Sequence, residues 1–256
     1  MPGAIDKNAV RQRFQRSLET YNRAATVQRD MAGTLLDLFA AATLERQFEM
    51  ITELGCGAGI LTDRIAERFD FAHLTLIDLV PECEAFHRGR ANAEFLCGDI
   101  ETIELPESDL FLSNAVFQWL AEPEQFFGRV AEKLRNGGYL AFTTFGPETL
   151  HELSSLTGNG LPYRTAAELV NILESNGLHI IASHEELIVQ EFDSPLAALR
   201  SLKETGVTAV SAGRPWSRRT LAEFSETYTD RFRLSNGNVP LTYHPIALVA
   251  GKKLTT

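Results

Sequence analysis

The sequence predicts an α/β fold in which strands and helices alternate around a largely parallel sheet. Short apolar segments rich in β-forming residues alternate with segments of helical spacing. The connections between them are short, as in sheets built from right-handed crossovers. The chain has 256 residues, of which 44% are hydrophobic, and this is enough for one such domain.

The N-terminal segment predicts helices. Val10, Phe14, Leu18 and Tyr21 recur at three- and four-residue spacing, and a second apolar series follows from Val27 onward. We expect residues 1–46 to form a helical lid.

The remaining elements follow in order. Strands are predicted at 50–54, 74–78, 93–97, 109–113, 139–145, 178–192 and 243–250, and helices at 60–69, 82–92, 123–134 and 165–175. The core therefore comprises 47–192 and 238–256, and the mostly helical stretch 193–237 is an insertion before the last strand.

Composition excludes several classes of function. The net charge of −10 disfavours nucleic acid as a partner. No apolar run is long enough for a membrane helix and no signal peptide is present, so a cytoplasmic protein is expected. The three cysteines show no CxxC spacing, so neither a metal site nor a disulfide framework is predicted.

A glycine-rich loop directly follows the first strand. It reads Glu53-Leu-Gly55-Cys-Gly57-Ala-Gly59 and opens a predicted helix, a context in which glycines let the backbone approach a ligand closely. An acidic residue, Asp78, follows about 20 positions later at the end of the second strand, where it suits two ribose hydroxyls. The simpler alternative is a tight turn that binds no ligand. A further acidic residue, Asp99, follows the third strand and argues against this alternative.

The spacing of this loop separates two cofactor classes. Nicotinamide dinucleotides use G-x-G-x-x-G, whereas this loop is E-x-G-x-G-x-G. It resembles the class I S-adenosylmethionine-dependent methyltransferases over about residues 50–145, which implies a Rossmann-like, seven-stranded mixed sheet with helices on both faces.

The resemblance also implies a set of cofactor-binding residues. The three loop glycines would contact the methionine part, Asp78 the ribose, and Asp99 with Ile100 the adenine; Asp99 alone could instead be a helix cap. Cys56, inside the loop, lacks the nearby histidine that a nucleophile would need. The expected set is Glu53, Gly55, Gly57, Gly59, Asp78, Leu79, Asp99, Ile100, Asn114 and Gln118.

The last two of these residues follow the fourth strand. Ligands of parallel sheets lie at the carboxyl ends of the strands, so Asn114 and Gln118 are expected to line the cofactor or acceptor cavity. The N-P-P-[YF] sequence of amino-methylating enzymes is absent here, which favours an oxygen, a carbon or a small-molecule acceptor.

Further segments narrow the resemblance. The fourth-strand segment 114–119, the F-G-P-x-T-L-x-E-L segment from Phe145 and the L-R-x-L-K-x-T-G segment from Leu199 are similar to the malonyl-acyl-carrier-protein O-methyltransferases of biotin synthesis. That family implies S-adenosyl-L-methionine as cofactor and acyl carrier protein carrying a malonyl group as partner. The free malonyl carboxylate would be methylated, which starts formation of the pimeloyl chain.

A carboxylate acceptor needs orientation more than it needs a base, because it is already ionised near neutral pH. Arg200 and Lys203 are the candidates to fix it, and Tyr21 could close over the methyl group. The simpler alternatives are a solvated helix face for the two cations and a core position for Tyr21.

The partner would require a local basic surface on an acidic enzyme. Residues 200–233 hold seven basic and four acidic side chains, so the insertion is the predicted docking site, although helical ion pairs would give the same composition. Two other functions stay open: methylation of a small free carboxylic acid such as aconitate, and a non-catalytic protein with a degenerate cofactor fold.

Overall fold

The fold is seen in a computed structural model, which describes residues 5–206 and 216–253. Helices and strands alternate through most of this range, as the sequence predicts. In chain order the elements are α1 (Lys7–Ala24), α2 (Thr26–Ala42), β1 (Gln47–Leu54), α3 (Ile60–Arg68), β2 (Asp70–Asp78), a 3-10 turn (Pro81–Phe86), β3 (Ala93–Cys97), β4 (Ser108–Asn114), a second 3-10 turn (Phe117–Trp119), α4 (Pro123–Lys133), β5 (Leu134–Phe145), α5 (His151–Thr157), α6 (Ala166–Ser175), β6 (Leu178–Glu185), β7 (Ile188–Phe192), α7 (Pro195–Glu204), α8 (Arg218–Phe232), β8 (Val239–Tyr243) and β9 (Pro245–Lys252).

The main sheet has seven strands in the order β3-β2-β1-β4-β5-β9-β6. Strands β1 to β5 pair in parallel, and β9 runs antiparallel between β5 and β6. The predicted seven-stranded mixed sheet is therefore confirmed. The chain changes direction across the sheet between β1 and β4, and this is the place where open α/β sheets bind their ligands.

Helices cover both faces of this sheet, also as predicted. On one face α4 and α6 bury Phe126, Phe127 and Leu173 against the strands. On the other, α2 and α3 bury residues such as Phe39 and Ile65. Because each face is sealed by apolar side chains, polar groups are left free mainly at the ends of the strands.

The N-terminal segment divides into two helices with different roles. Helix α2 buries Ala32, Leu35, Leu36 and Phe39 in the second core layer, so it is part of the fold rather than of a lid. The predicted lid over 1–46 is too broad, because α2 has the wide apolar face of a core helix. Only α1 lies across the end of the sheet.

Two predicted elements are wrong in their extent. The expected strand 178–192 divides at Glu186, because β6 pairs with β9 while β7 pairs with β8 in a separate two-stranded sheet. The expected helix 82–92 is a short 3-10 turn, since Gly89 and Asn92 adopt left-handed backbone conformations. No helix among the residues of the two described ranges is long and apolar enough to cross a membrane.

The turn that joins β1 to α3 depends on Gly55. Its φ is +78°, and a Cβ atom added there would lie 2.3 Å from a methyl carbon of Val116. We expect Gly55→Ala to lower the free energy of unfolding by about 2–5 kcal/mol, from left-handed strain and overpacking together. Urea denaturation measures this loss.

Gly158→Ala is the matched control. Gly158 also has a left-handed φ, +68°, but an added Cβ would meet nothing within 4 Å. Strain alone should therefore cost about 1 kcal/mol. Equal losses in the two variants would contradict the steric role of Val116.

Candidate active site

A cavity of about 1000 Å³, including its opening to solvent, lies at the carboxyl ends of β1, β2 and β4 beneath helix α1. Its floor is formed by the loops that follow these strands, and its roof by one face of α1. Among the predicted site residues, it is lined by Tyr21, Glu53, Gly55, Gly57, Asp78, Leu79, Asp99, Ile100 and Asn114. The topology brings these residues together from five separate segments.

The glycine loop shapes the floor. Gly55, Gly57 and Gly59 all have positive φ angles, and Gly59 is the N-cap residue of helix α3. The helix N-terminus and the close backbone approach suit a negatively charged group such as a carboxylate. Cys56 is buried, and burial raises the pKa of its thiol well above the ordinary value, so it is not a nucleophile.

Asp78 joins the loop to strand β2. Its Oδ2 accepts a hydrogen bond of 2.8 Å from the amide of Gly57, and its Oδ1 accepts one of 2.8 Å from the amide of Val80. Each carboxylate oxygen can accept a further bond, so Asp78 can bind two hydroxyl groups in the cavity. Burial raises the pKa of this carboxyl even though the backbone amides oppose the shift.

Glu53 is the most buried acidic group of the cavity wall. Its side chain accepts a hydrogen bond of 2.7 Å from the hydroxyl of Thr62, and it is 1% exposed. Burial raises its pKa to about 8, which favours the protonated carboxyl at neutral pH. A cation placed beside it would favour the ionised form.

Asp99 and Ile100 form the far end of the cavity. Asp99 accepts a hydrogen bond of 3.0 Å from the amide of Glu101 and one of 3.3 Å from Lys7. Arg129 holds this loop by donating to the carbonyl oxygen of Ile100. The carboxylate therefore caps its own turn and also lines the cavity, so its capping role does not remove it from the site.

The two polar residues that follow β4 lie in different cavities. Asn114 lines the main cavity, but its amide donates to the carbonyl of Gln28 and accepts from Thr143. Gln118 lines a second cavity, formed with residues such as Tyr163 and Arg164. Gln118 therefore does not line the cavity of the glycine loop; its side chain donates to the carbonyl of Ala115 at 2.7 Å and accepts from the hydroxyl of Thr144 at 3.2 Å.

Helix α1 turns an apolar stripe toward the cavity. Val10, Phe14, Leu18 and Tyr21 lie on its inner side, and Phe14 packs edge-on against Trp119 with ring centroids 5.8 Å apart. The sequence showed this periodicity, yet it did not reveal that the stripe faces a cavity instead of the core. Phe14, Val10 and Leu18 were therefore missed as site residues.

Three polar side chains of α1 tie it to the loops beneath it. Lys7 forms ion pairs with Asp99 and Glu101, Gln15 donates to Glu82 at 2.5 Å, and Asn22 donates to the carbonyl of Ala58 at 3.1 Å. These contacts reach the β3 loop, the 3-10 turn after β2 and the glycine loop. Helix α1 thus spans the whole cavity.

Tyr21 lies at the C-terminal end of this stripe. Burial, reinforced by the negative charge of Asp78, raises the pKa of its phenol far above the ordinary value. The raised pKa favours a protonated hydroxyl, which can donate a hydrogen bond and is unsuited to act as a base.

The predicted carboxylate-fixing pair lies away from both cavities. Helix α7 buries Pro195, Ala198 and Leu202, so the intervening Arg200 and Lys203 are exposed. The structure thus brings neither of these two cations to the cavity that holds the glycine loop. Arg214, another predicted basic residue of the insertion, lies outside the described residues.

The raised pKa of Glu53 predicts a pH-dependent stability. Between pH 4.5 and about 8 the folded protein retains a proton that the unfolded chain has released, so its free energy of unfolding falls as pH rises. Glu53→Gln removes this titration. Its stability relative to the parent should therefore increase with pH across this window, by at most about 1.4 kcal/mol per pH unit.

Urea denaturation at pH 6 and pH 8.5 tests this expectation. Glu49→Gln is the control, because Glu49 lies on the same strand but is exposed. The free energies of unfolding of the Glu53→Gln variant and the parent are compared at each pH. If their difference does not change with pH, the Glu53 carboxyl is ionised throughout this window.

Comparison with known proteins identifies the family. A family model described as a methyltransferase domain matches residues 52–142, the range that contains the glycine loop, Asp78 and Asp99. The YcgJ protein of Bacillus subtilis shares the fold, with a TM-score of 0.62 at 15% identity over 87% of this chain and 100% of that one.

Two curated relatives match along almost the whole chain. A malonyl-[acyl-carrier protein] O-methyltransferase of Bacteroides thetaiotaomicron is 38% identical over 97% of this chain and 99% of its own length. One of Chlorobium luteolum is 37% identical over 96% of this chain and 95% of its own length. The chain therefore belongs to the malonyl-[acyl-carrier protein] O-methyltransferase family.

Proposed function

We propose that this protein transfers a methyl group from S-adenosyl-L-methionine to the free carboxylate of a malonyl thioester on acyl carrier protein. The observation that carries the proposal is the convergence of the glycine loop, Asp78 and Asp99 on one cavity in a chain of this family. Two observations support the acceptor: the names of the relatives, and the chemistry of the cavity.

The residues of the cavity fit the methyl donor along its length. The glycine loop and the N-terminus of α3 suit the carboxylate of its methionine part. Asp78 suits the ribose hydroxyls, and Asp99 with the buried side chain of Ile100 suits the adenine ring. When bound, the donor supplies an electrophilic methyl group on a sulfonium.

The acidic walls suit the positive charges of this donor. Glu53 and Asp78 both line the cavity, and burial raises the pKa values of both carboxyl groups. A sulfonium or ammonium group beside them favours their ionised forms, and this attraction favours the cationic donor over the neutral thioether left after transfer. This difference in charge helps the spent donor to leave.

The acceptor side needs no strong base, because a malonyl carboxylate is already ionised. The chain contributes positioning and an apolar wall: Phe14, Leu18 and Trp119 line the cavity, and a bound donor and acceptor would displace water from this wall. Tyr21 stays protonated and can donate one hydrogen bond to the carboxylate. A single neutral donor orients the nucleophile without strongly stabilising a charge that is lost in the transition state.

The assignment of the ribose to Asp78 gives a prediction about binding. We expect Asp78→Ala to weaken S-adenosylmethionine affinity by about 2–4 kcal/mol, because two charge-assisted hydrogen bonds are lost. Calorimetry measures the dissociation constant.

Two further variants make this result specific. Asp78→Asn keeps one acceptor oxygen for the backbone amides and should give a smaller loss than alanine. Asp37→Ala removes an exposed carboxylate from α2 and should leave affinity unchanged. An unchanged dissociation constant in Asp78→Ala would show that the ribose binds elsewhere.

The acceptor is tested by a methyl-transfer assay with labelled donor. Malonyl-acyl carrier protein, malonyl-coenzyme A, free malonate and aconitate are compared, and the highest kcat/KM is expected for the carrier protein. Tyr21→Phe should lower kcat on that substrate while donor affinity is kept. A higher kcat/KM on free malonate or aconitate than on the carrier protein would show that the acceptor is a free acid. If the protein does not bind S-adenosylmethionine, the enzyme assignment is overturned.

A further inference from the structure

Helix α1 is strongly basic, although the whole chain carries a net charge of −10. It contains five basic side chains and one acidic residue, Glu19. The basic residues are Lys7, Arg11, Arg13, Arg16 and Arg23. The helix that roofs the cavity is thus opposite in charge to the protein as a whole.

These charges divide between two faces of the helix. Lys7 and Arg11 line the cavity. Arg16 and Arg23 are exposed on the outer face and stand seven residues apart, which is two helical turns or about 10 Å. Among the described residues, neither of these two arginines forms an ion pair, so the outer face keeps its positive charge.

Helix α7 extends this surface. The hydroxyl of Thr20 donates to the carbonyl of Glu204 at 2.9 Å, which places the two helices side by side. The solvent face of α7 carries Arg200 and Lys203 next to Leu196, which is 44% exposed. The paired helices therefore combine cations with an exposed apolar side chain.

Helix α8, which lies in the insertion predicted to be the docking site, differs. It holds three arginines and three acidic residues, and Arg219 is paired with Glu223 at 2.8 Å. Its charges therefore balance, and it offers an acidic partner little net attraction.

We infer that the outer face of α1, continued by the exposed face of α7, is the surface on which acyl carrier protein docks. The inference rests on the proposed function and names the site of its partner. Acyl carrier protein is acidic, so the basic surface complements it and steers its approach. Because α1 is also the roof of the cavity, a carrier bound there holds its acyl group beside the opening.

Charge reversal at the two outer arginines tests this surface. Arg16→Glu/Arg23→Glu should raise KM for malonyl-acyl carrier protein at least tenfold at low ionic strength, and this difference should shrink as salt is added. Turnover of malonyl-coenzyme A and affinity for S-adenosylmethionine should stay within about twofold of the parent, since neither arginine lines the cavity.

Arg218→Glu/Arg219→Glu on α8 is the matched control, with the same change in charge on another exposed helix. It should leave KM for the carrier protein within about twofold of the parent. Arg16→Gln/Arg23→Gln guards against damage to α1: it should give an intermediate rise in KM with donor affinity unchanged.

The outcomes separate the inference from the function on which it rests. An unchanged KM in the α1 variants, or a larger effect of the α8 pair, overturns the docking surface while methyl transfer stands. Binding to phosphatidylglycerol vesicles is measured for the parent and the α1 variants. If the parent binds the vesicles and the α1 variants do not, while KM for the carrier protein is unchanged, the docking surface is overturned in favour of a membrane-binding surface. A parent protein that methylates no malonyl thioester overturns the proposed function itself.

Discussion

The hydrogen bond from the Gly57 amide to the carboxylate of Asp78 is the contact on which the site depends. It joins the loop after β1 to the end of β2, two strands that are neighbours in the sheet. The amide of Val80 holds the other oxygen of the same carboxylate. One side chain therefore fixes the backbone of two loops and still presents lone pairs to the cavity, so the shape of the floor and its binding chemistry have the same origin.

The distribution of charge follows from this arrangement. Acidic side chains gather inside the cavity, where burial raises the pKa of Glu53 and Asp78. Basic side chains gather on the outer face of α1. An acidic interior favours a cationic donor, and a basic exterior favours an acidic partner. A single net charge for the chain conceals both features, because acidic and basic side chains are concentrated on different surfaces.

Much of the fold could be predicted from the sequence because local pattern and topology agree in the core. Strands β1 to β5 and the glycine loop are found close to their expected positions, since these strands are apolar segments and three of them are followed directly by glycine, which leaves few alternatives. The break at Glu186 could not be predicted, because it depends on pairing with β8 and β9, which come more than 50 residues later. The exposure of Arg200 and Lys203 could not be predicted either, because it depends on which side of α7 is buried.

The role of helix α1 shows why periodicity alone does not distinguish a core helix from a roof. Helices α1 and α2 both have apolar residues at helical spacing, yet α2 packs on the sheet and α1 faces a cavity. Phe14, Leu18 and Tyr21 thus lack a full set of protein neighbours. A ligand that fills the cavity would bury them further and stabilise the helix, by about 25 cal/mol for each Å² of apolar surface removed from water. The roof of the cavity and the outer basic face are therefore two sides of one helix.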